Sequence, residues 1–490
     1  MSPAKKRIII AGGGVGGLVT GIYAQKAGFE SVIYEKNSYA GGECTGWDRN
    51  GYHIDGCIHW LAGTGEGRNL NRLWKETGAL DNVEIYQPES FITVFDNDNA
   101  LSFWRDRERL RNHLLEISPE DKDEIEEMLR AIAAFESFEP SVDRPRDIMN
   151  PLQKIRFIYR NRKVFGKIGK YSQIPVGEYK NRFKNSLIRT ALGFIVPDQY
   201  CAHNLFFTLA SFISNNAGVP MGGSRAFSGR LERKYRELGG EIVFNSEVRE
   251  IIARNNRAGG IIVSDGSEIH GDYIVTACDP AVVFNKLLSG AWHDEEFQKR
   301  YDDNASYPLQ TCVYVTYGIK AGMSDFPRNS VFKTGPVIFE DRVIDTLSMK
   351  HFSHEPSFSP EGESLVAVYF DANYDWWKDL HADQARYRSE KARLAVDIAV
   401  QLERRFPEVL KKPRVLDVAT PVTYERYCGA YRGSWLSFGN TPKGQPLKHN
   451  GRVAGLKNLY MTGQWLMPPG GLPGAAITGK WTIARILAGR

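Results

Sequence analysis

The sequence predicts an α/β protein that opens on a parallel βαβ unit. Three observations predict it. Residues 7–11 form a short apolar run that passes through a glycine-rich turn into helix-spaced residues 18–27 and then a second apolar run at 31–36, the order of a βαβ unit. Strand-like runs recur in the middle of the chain (239–280), and the last stretch (456–490) offers one more strand followed by an amphipathic helix. The residues between these runs include both strand-like and helix-like segments.

Composition bounds the function classes. With 490 residues, 42% hydrophobic and 25% charged, the chain is a globular protein of about two to three domains. Residues 8–24 are seventeen consecutive uncharged residues, but the run is too rich in glycine to imitate a membrane span. It also leads into a mixed-charge segment rather than a small-residue cleavage site, so a cytoplasmic location is expected. The net charge of +5 is small for this length and gives no ground for nucleic-acid binding. The six cysteines, far apart and without paired metal spacing, are expected as reduced thiols, and no metal site is expected.

The opening unit carries the strongest motif. Gly12, Gly14 and Gly17, with Val15 and Gly16 between them, satisfy G-x-G-x-x-G directly after a strand and directly before a helix. The first glycine allows the tight turn, the second lets backbone approach a pyrophosphate, and the third lets helix and strand pack closely. The helix N-terminus then presents free N–H groups and a partial positive charge to the phosphates. Glu35, followed by Lys36, stands about twenty residues on, where an acid can hydrogen-bond ribose hydroxyls. A Rossmann-like dinucleotide site is expected.

The segment YAGGECTGWDRNGYHIDGCIHWLAG (39–63) resembles the Gly-Gly segment of FAD enzymes in the amine oxidase and phytoene desaturase superfamily, with Gly41, Gly42, Gly51, Tyr52, Ile54 and Asp55 on its positions. Glu43 stands where many relatives carry Arg or Ser. The middle segment resembles the family's return to the nucleotide domain, in which Val248 would meet the adenine through its backbone. The final segment resembles the loop and helix that sit against the flavin's pyrimidine edge, bringing in Gly463, Gln464, Gly471, Leu472, Pro473 and Ala475; Gln464 replaces an acid and Pro469 a glycine. The loops PPGGLPGAAITG and VPMGGSRAFSGRLERKYRELGGEI are most similar to the branch of phytoene desaturases, carotenoid isomerases and retinol saturases.

The resemblance implies a Rossmann-like FAD-binding domain (GR2-type, discontinuous) with an inserted mixed α+β substrate domain. The FAD domain is assigned to 1–90, 216–285 and 450–490, and the substrate domain to 91–215 and 286–449. Within the insertion, 89–104 reads as two strands around an Asn/Asp turn. Residues 118–136 read as a helix with Ser118 as N-cap and Pro119 at its first position. Residues 311–319 and 364–370 read as strands, and 382–406 as a long helix.

Residues 150–185 hold ten lysines and arginines against one acid, Glu178, a net charge of +9 interleaved with aromatic and aliphatic residues. That pattern suits contact with an anionic membrane surface. A solvated surface whose apolar residues pack inward is the alternative.

FAD carries the redox chemistry, and the protein's task is to place a C–H or C=C bond against it and exclude water. No second dinucleotide motif follows a strand elsewhere, so a dedicated nicotinamide domain is not evident, and either the substrate or a separate electron donor or acceptor of unknown identity is expected to exchange electrons with the flavin. From the segments that the resemblance places near the ring, the candidate catalytic residues are His59, Tyr424, Glu425 and Arg426; His59 and Trp60 are also candidate flavin contacts, and Trp465 and Met467 could wall the ring. For His59 a buried structural role, for Glu425 and Arg426 a mutual ion pair, and for Trp465 and Met467 ordinary core packing are the alternatives. The function expected is desaturation, saturation or isomerisation of an apolar polyene or isoprenoid-like substrate by hydride transfer at flavin N5. The rival readings are a flavin amine oxidase and a non-enzymatic lipid carrier of the same fold.

Overall fold

The structure is a computed structural model describing residues 5–97 and 99–489. Its nucleotide-binding half is a five-stranded parallel sheet in the order Glu241–Val243, Glu30–Tyr34, Arg7–Ala11, Tyr273–Thr276, Leu459–Met461. Strands from the start, middle and end of the chain therefore lie side by side. The sheet is buried on both faces, and its alternation shows which residue goes where. Ile8, Ile10 and Ile33 point to the side of the helices Val15–Lys26, Gly223–Glu237 and Gly471–Leu487. Ile9, Ala11, Val32 and Tyr34 point to the antiparallel sheet Val248–Arg254, Arg257–Val263 and Glu268–His270. Asn255 and Asn256, both at positive φ, make the two-residue turn between the first two of those strands.

The second half is a seven-stranded sheet in the order Arg414–Ala419, Cys312–Ile319, Ser364–Asp371, Arg342–His351, Asn329–Phe339, Ser90–Asp96, Asn99–Trp104. All its pairs are antiparallel except Asn329–Phe339 with Ser90–Asp96. One face is apolar, carrying Val313, Val315, Tyr317, Leu347, Met349, Val366 and Val368 against the long helix Gln384–Arg405, which Asp383 caps. By the two-residue period the opposite face carries Cys312, Tyr314, Ser348, Lys350, Ala367 and Tyr369. A helical layer from Arg107–Ile117 to Ala202–Ile213 covers the far end around its own core.

One cap differs from expectation. Ser118 makes no capping bond to backbone; Pro119–Asp121 is a 3₁₀ turn, and the α-helix runs over Lys122–Phe135. The Ser118 hydroxyl donates to Asp121 at 2.8 Å, and the Asp121 carboxylate accepts from the backbone of Lys184 and Asn185, so the serine serves a tertiary tie instead. All six cysteines are free thiols.

The basic segment forms the helices Pro151–Arg160, Arg162–Tyr171 and Val176–Lys180. The second and third bury Val164, Tyr171, Val176 and Tyr179 in the helical core. The first buries none of its residues: Leu152 is 77% exposed and Tyr159 66%, with Ile155 and Ile158 also exposed. Inward packing thus accounts for part of the segment's apolar residues and not for those of this helix.

Candidate active site

At the carboxyl end of the parallel sheet the Gly12 N–H donates to the Tyr34 carbonyl at 2.9 Å and the chain turns at positive φ, as the first glycine of the motif requires. Gly17 packs so tightly that a Cβ there would lie 2.0 Å from the Gly12 carbonyl oxygen. Gly16 similarly faces Gly463, and Gly479 of the last helix faces the Gly16 carbonyl, so two glycine-bearing helices cross at close range. Gly14 is different. It has φ −66° and ψ 176°, which any residue adopts, and a Cβ there would meet nothing closer than 3.9 Å. Neither backbone geometry nor packing demands a glycine at this point. The open cradle fits a pyrophosphate that must reach the backbone at the helix N-terminus.

Glu35 lines this loop, buried, its carboxylate accepting from the Gly13 N–H at 2.7 Å and from the Asn37 N–H at 2.8 Å. Lys36 donates to the Arg426 carbonyl at 3.0 Å. Val248 sits with Ala11 and Tyr34 in one cluster beside the strand ends. Gly41 bridges Gly14, which brings the Gly41–Gly42 pair against the loop.

Glu43 and Gln464, 421 residues apart, are partners: the Gln464 amide donates to Glu43 at 2.9 Å while its carbonyl oxygen accepts from the Gly471 N–H at 2.8 Å. The two departures noted in the sequence thus form one chain from the Gly-Gly segment to the start of the last helix. Burial pushes the Glu43 carboxyl up to about 8, the Gln464 hydrogen bond opposing, so it is largely protonated at neutral pH. Gly471, Leu472, Pro473 and Ala475 form the first turn of Gly471–Leu487, and Gly463 is tied to Thr478 at 3.0 Å.

Asp55 is a second anchor. Its carboxylate accepts from the Ser224 N–H, the Ser224 hydroxyl and the Cys57 N–H, locking the Gly-Gly segment to the N-terminus of helix Gly223–Glu237. Sequence reading marked Asp55 and the MGGS loop separately and missed the bond between them.

Around His59 the nucleotide half meets the inner face of the seven-stranded sheet. The His59 ring lies edge-on to Tyr369 at 5.4 Å; burial and the charges of Lys350 and Arg328 hold its pKa far below the usual value, so it is neutral. Trp60 lies edge-on to Phe91 at 6.4 Å. Tyr424 approaches Cys312 at 3.7 Å on this same inner face. Glu425 and Arg426 do not join it. Glu425 accepts from Tyr374 and Lys378 rather than pairing with Arg426, which is exposed over the Tyr427 ring. Trp465 is packed in core against Phe438 and Tyr301, and Met467 is half-buried against the helices. Sequence reading did not single out Arg328, Lys350, Tyr314 or Tyr369; the available signal was a lysine at an inward-facing position of a strand pattern.

Comparison with known proteins places this geometry. The family model of flavin-containing amine oxidoreductases matches residues 15–487. A 4,4'-diapophytoene desaturase of Methylomonas sp is 22% identical over 96% of this chain and 92% of its own length. The chloroplastic prolycopene isomerase of Daucus carota is 22% identical over 98% of this chain and 80% of its own. Among solved structures, an oxidoreductase from Methanosarcina mazei superposes with TM-score 0.61 at 18% identity, over 98% of this chain and 100% of that one. The chain belongs to the flavin-containing amine oxidoreductase family: it is an oxidoreductase, and its cofactor is FAD.

Proposed function

We propose that this flavoprotein acts on a carbon–carbon or carbon–carbon double bond of an apolar polyene or isoprenoid-like substrate, by desaturation, saturation or isomerisation. The observation that carries the reading is similarity over nearly the whole chain to carotenoid desaturases and isomerases. Bound FAD supplies the two-electron chemistry by exchanging a hydride at N5. The chain's residues do the rest. The loop Gly12–Gly17, with Glu35, Gly41, Gly42 and the first turn at Gly471, would hold the cofactor. His59, Tyr369, Tyr314 and Tyr424 form an aromatic wall that excludes water and orients the substrate. His59 is neutral, so it can accept or share a hydrogen bond without adding charge beside the ring. Glu425 and Arg426 stand outside this arrangement.

The helix Pro151–Arg160 supports a second part of the reading, delivery from a lipid surface. Leu152, Ile155 and Tyr159 fall at i, i+3 and i+7, with Lys154, Arg156 and Arg160 flanking them. An anionic bilayer matches both the exposed apolar stripe and the charge. No helix among the described residues is long and apolar enough to cross a membrane.

The test is anaerobic incubation of the purified protein with hydrocarbon polyenes of differing saturation and geometry, followed by chromatography and mass analysis. Loss or gain of a pair of hydrogens, or unchanged mass with altered elution, identifies desaturase, saturase or isomerase. Unchanged polyenes together with hydrogen peroxide release from amines would overturn the reading.

A further inference from the structure

The inner face of the seven-stranded sheet carries charge that a plain hydrocarbon does not need. Lys350, 2% exposed, pairs in register with Asn329 and Ala367, and Arg328, 5% exposed, directly precedes Asn329. Two buried basic side chains therefore lie close, one on Arg342–His351 and one at the residue before Asn329–Phe339. Among the described residues neither has an ion-pair partner. Arg328 donates one bond, to the His59 carbonyl at 3.1 Å, and its buried Nε has no partner. Among the described residues the Lys350 ammonium has no hydrogen-bond partner, and it lies over the face of the Phe352 ring at 5.0 Å.

The surroundings do not neutralise them. Asp55 is the one carboxylate that acts on both, and its oxygens are already committed to Ser224 and Cys57. His59, His351 and His354 are all held neutral by burial, and the buried His354 Nδ1 also lacks a partner. Tyr86, stacked on His354 at 4.5 Å, and Tyr314 and Tyr369 complete the walls. Burial, with the Arg328 guanidinium beside it, drives the Lys350 ammonium well below its usual pKa, so without an anion next to it the lysine favours the neutral amine. A buried unpaired cation is strongly unfavourable, and a bound anion would let both side chains carry their charge while filling the open donor at Arg328 Nε.

We propose that Arg328 and Lys350 form a carboxylate-binding subsite, and that the substrate is a polyene or isoprenoid-like molecule bearing a carboxylate rather than a bare hydrocarbon. This rests on the functional reading above and narrows it. A carboxylate would favour the protonated lysine, and the guanidinium fork can meet its two oxygens while the ammonium supplies a third donor.

The probes are all-trans-retinoate and its methyl ester, which share the polyene and differ in charge. Binding is followed by tryptophan fluorescence of the flavin-loaded protein, with the flavin spectrum as a check on folding. Wild type should bind retinoate about tenfold or more tighter than the ester. Lys350→Met, which keeps the stem and removes the charge, should erase that preference while leaving ester affinity within about twofold, and Lys350→Arg should restore it. Equal affinities in wild type, or a preference intact in Lys350→Met, would overturn the subsite and leave the polyene reading standing. A changed flavin spectrum with the preference intact would assign the cations to the cofactor and overturn it too. Binding of neither probe would remove both this inference and the polyene reading.

Discussion

A single hydrogen atom separates the roles of two glycines in the same loop. Gly17 has no room for a methyl group, because its Cβ would sit 2.0 Å from a backbone oxygen. Gly17→Ala should therefore cost about 1–3 kcal/mol of stability, read by denaturant unfolding. Gly14 has room, so Gly14→Ala should leave flavin-free stability within about 1 kcal/mol yet weaken FAD binding about tenfold or more. If Gly14→Ala retains FAD like wild type, that cradle is not where the pyrophosphate sits. Glu43 gives a pH signature. Its folded pKa of about 8 exceeds the ordinary 4.5, so across that window the native state holds a proton that the unfolded chain releases. Stability from this group is lost as pH rises through the window. Glu43→Gln does not titrate and keeps an acceptor for Gln464, so it should gain on wild type by an amount that grows from pH 5 to pH 8.5, on the order of a few kcal/mol. A constant difference in melting temperature across those pH values would contradict the assignment.

Elements explain what local pattern could and could not reveal. The strand Arg7–Ala11, the helix after it, Leu459–Met461 and Gln384–Arg405 were legible because periodicity and glycine spacing are local properties of the chain. Ser118 misled because a Ser-Pro-Glu-Asp start fits a cap, and only the fold reveals that Asp121 is needed by Lys184 and Asn185. The Asp55–Ser224 and Glu43–Gln464 bonds were not legible for a related reason: each joins segments whose local patterns are indifferent to one another. Ser224→Ala removes a hydroxyl donor from a buried carboxylate and should cost about 1.5–3 kcal/mol in chemical unfolding. A cost below about 0.5 kcal/mol would mean that the anchor is not in place. For the helix Pro151–Arg160, replacing Lys154, Arg156 and Arg160 by Gln should lower co-sedimentation with anionic vesicles about tenfold or more, at roughly 1 kcal/mol per basic residue. Leu152→Ser with Ile155→Ser should do the same without loss of melting temperature, since both side chains are exposed. Association unaffected by either set would remove lipid contact from the account.

At the scale of the whole molecule, the parallel sheet draws its strands from three distant parts of the sequence, so the cofactor cradle exists only when the ends of the chain have come together. The chain then presents two unlike surfaces to each other. One is a backbone-rich, glycine-lined edge suited to phosphates; the other is the inner face of a mixed sheet that combines aromatic walls with two buried basic side chains. The first was readable because phosphate binding demands residues at fixed spacing. The second was not, because a substrate face is assembled from alternate residues of separate strands and has no spacing of its own. The assignment of residues 1–90, 216–285 and 450–490 to the cofactor half, and of 91–215 and 286–449 to the substrate half, is proposed on this division of labour.

The most direct test of the account follows the visible spectrum of the purified protein under anaerobic conditions as a polyene is added. The account predicts a yellow protein with bound FAD whose flavin absorbance responds to polyenes and not to amines. A colourless protein that takes up no FAD, or a flavin that bleaches with amines and is indifferent to every polyene, would contradict it.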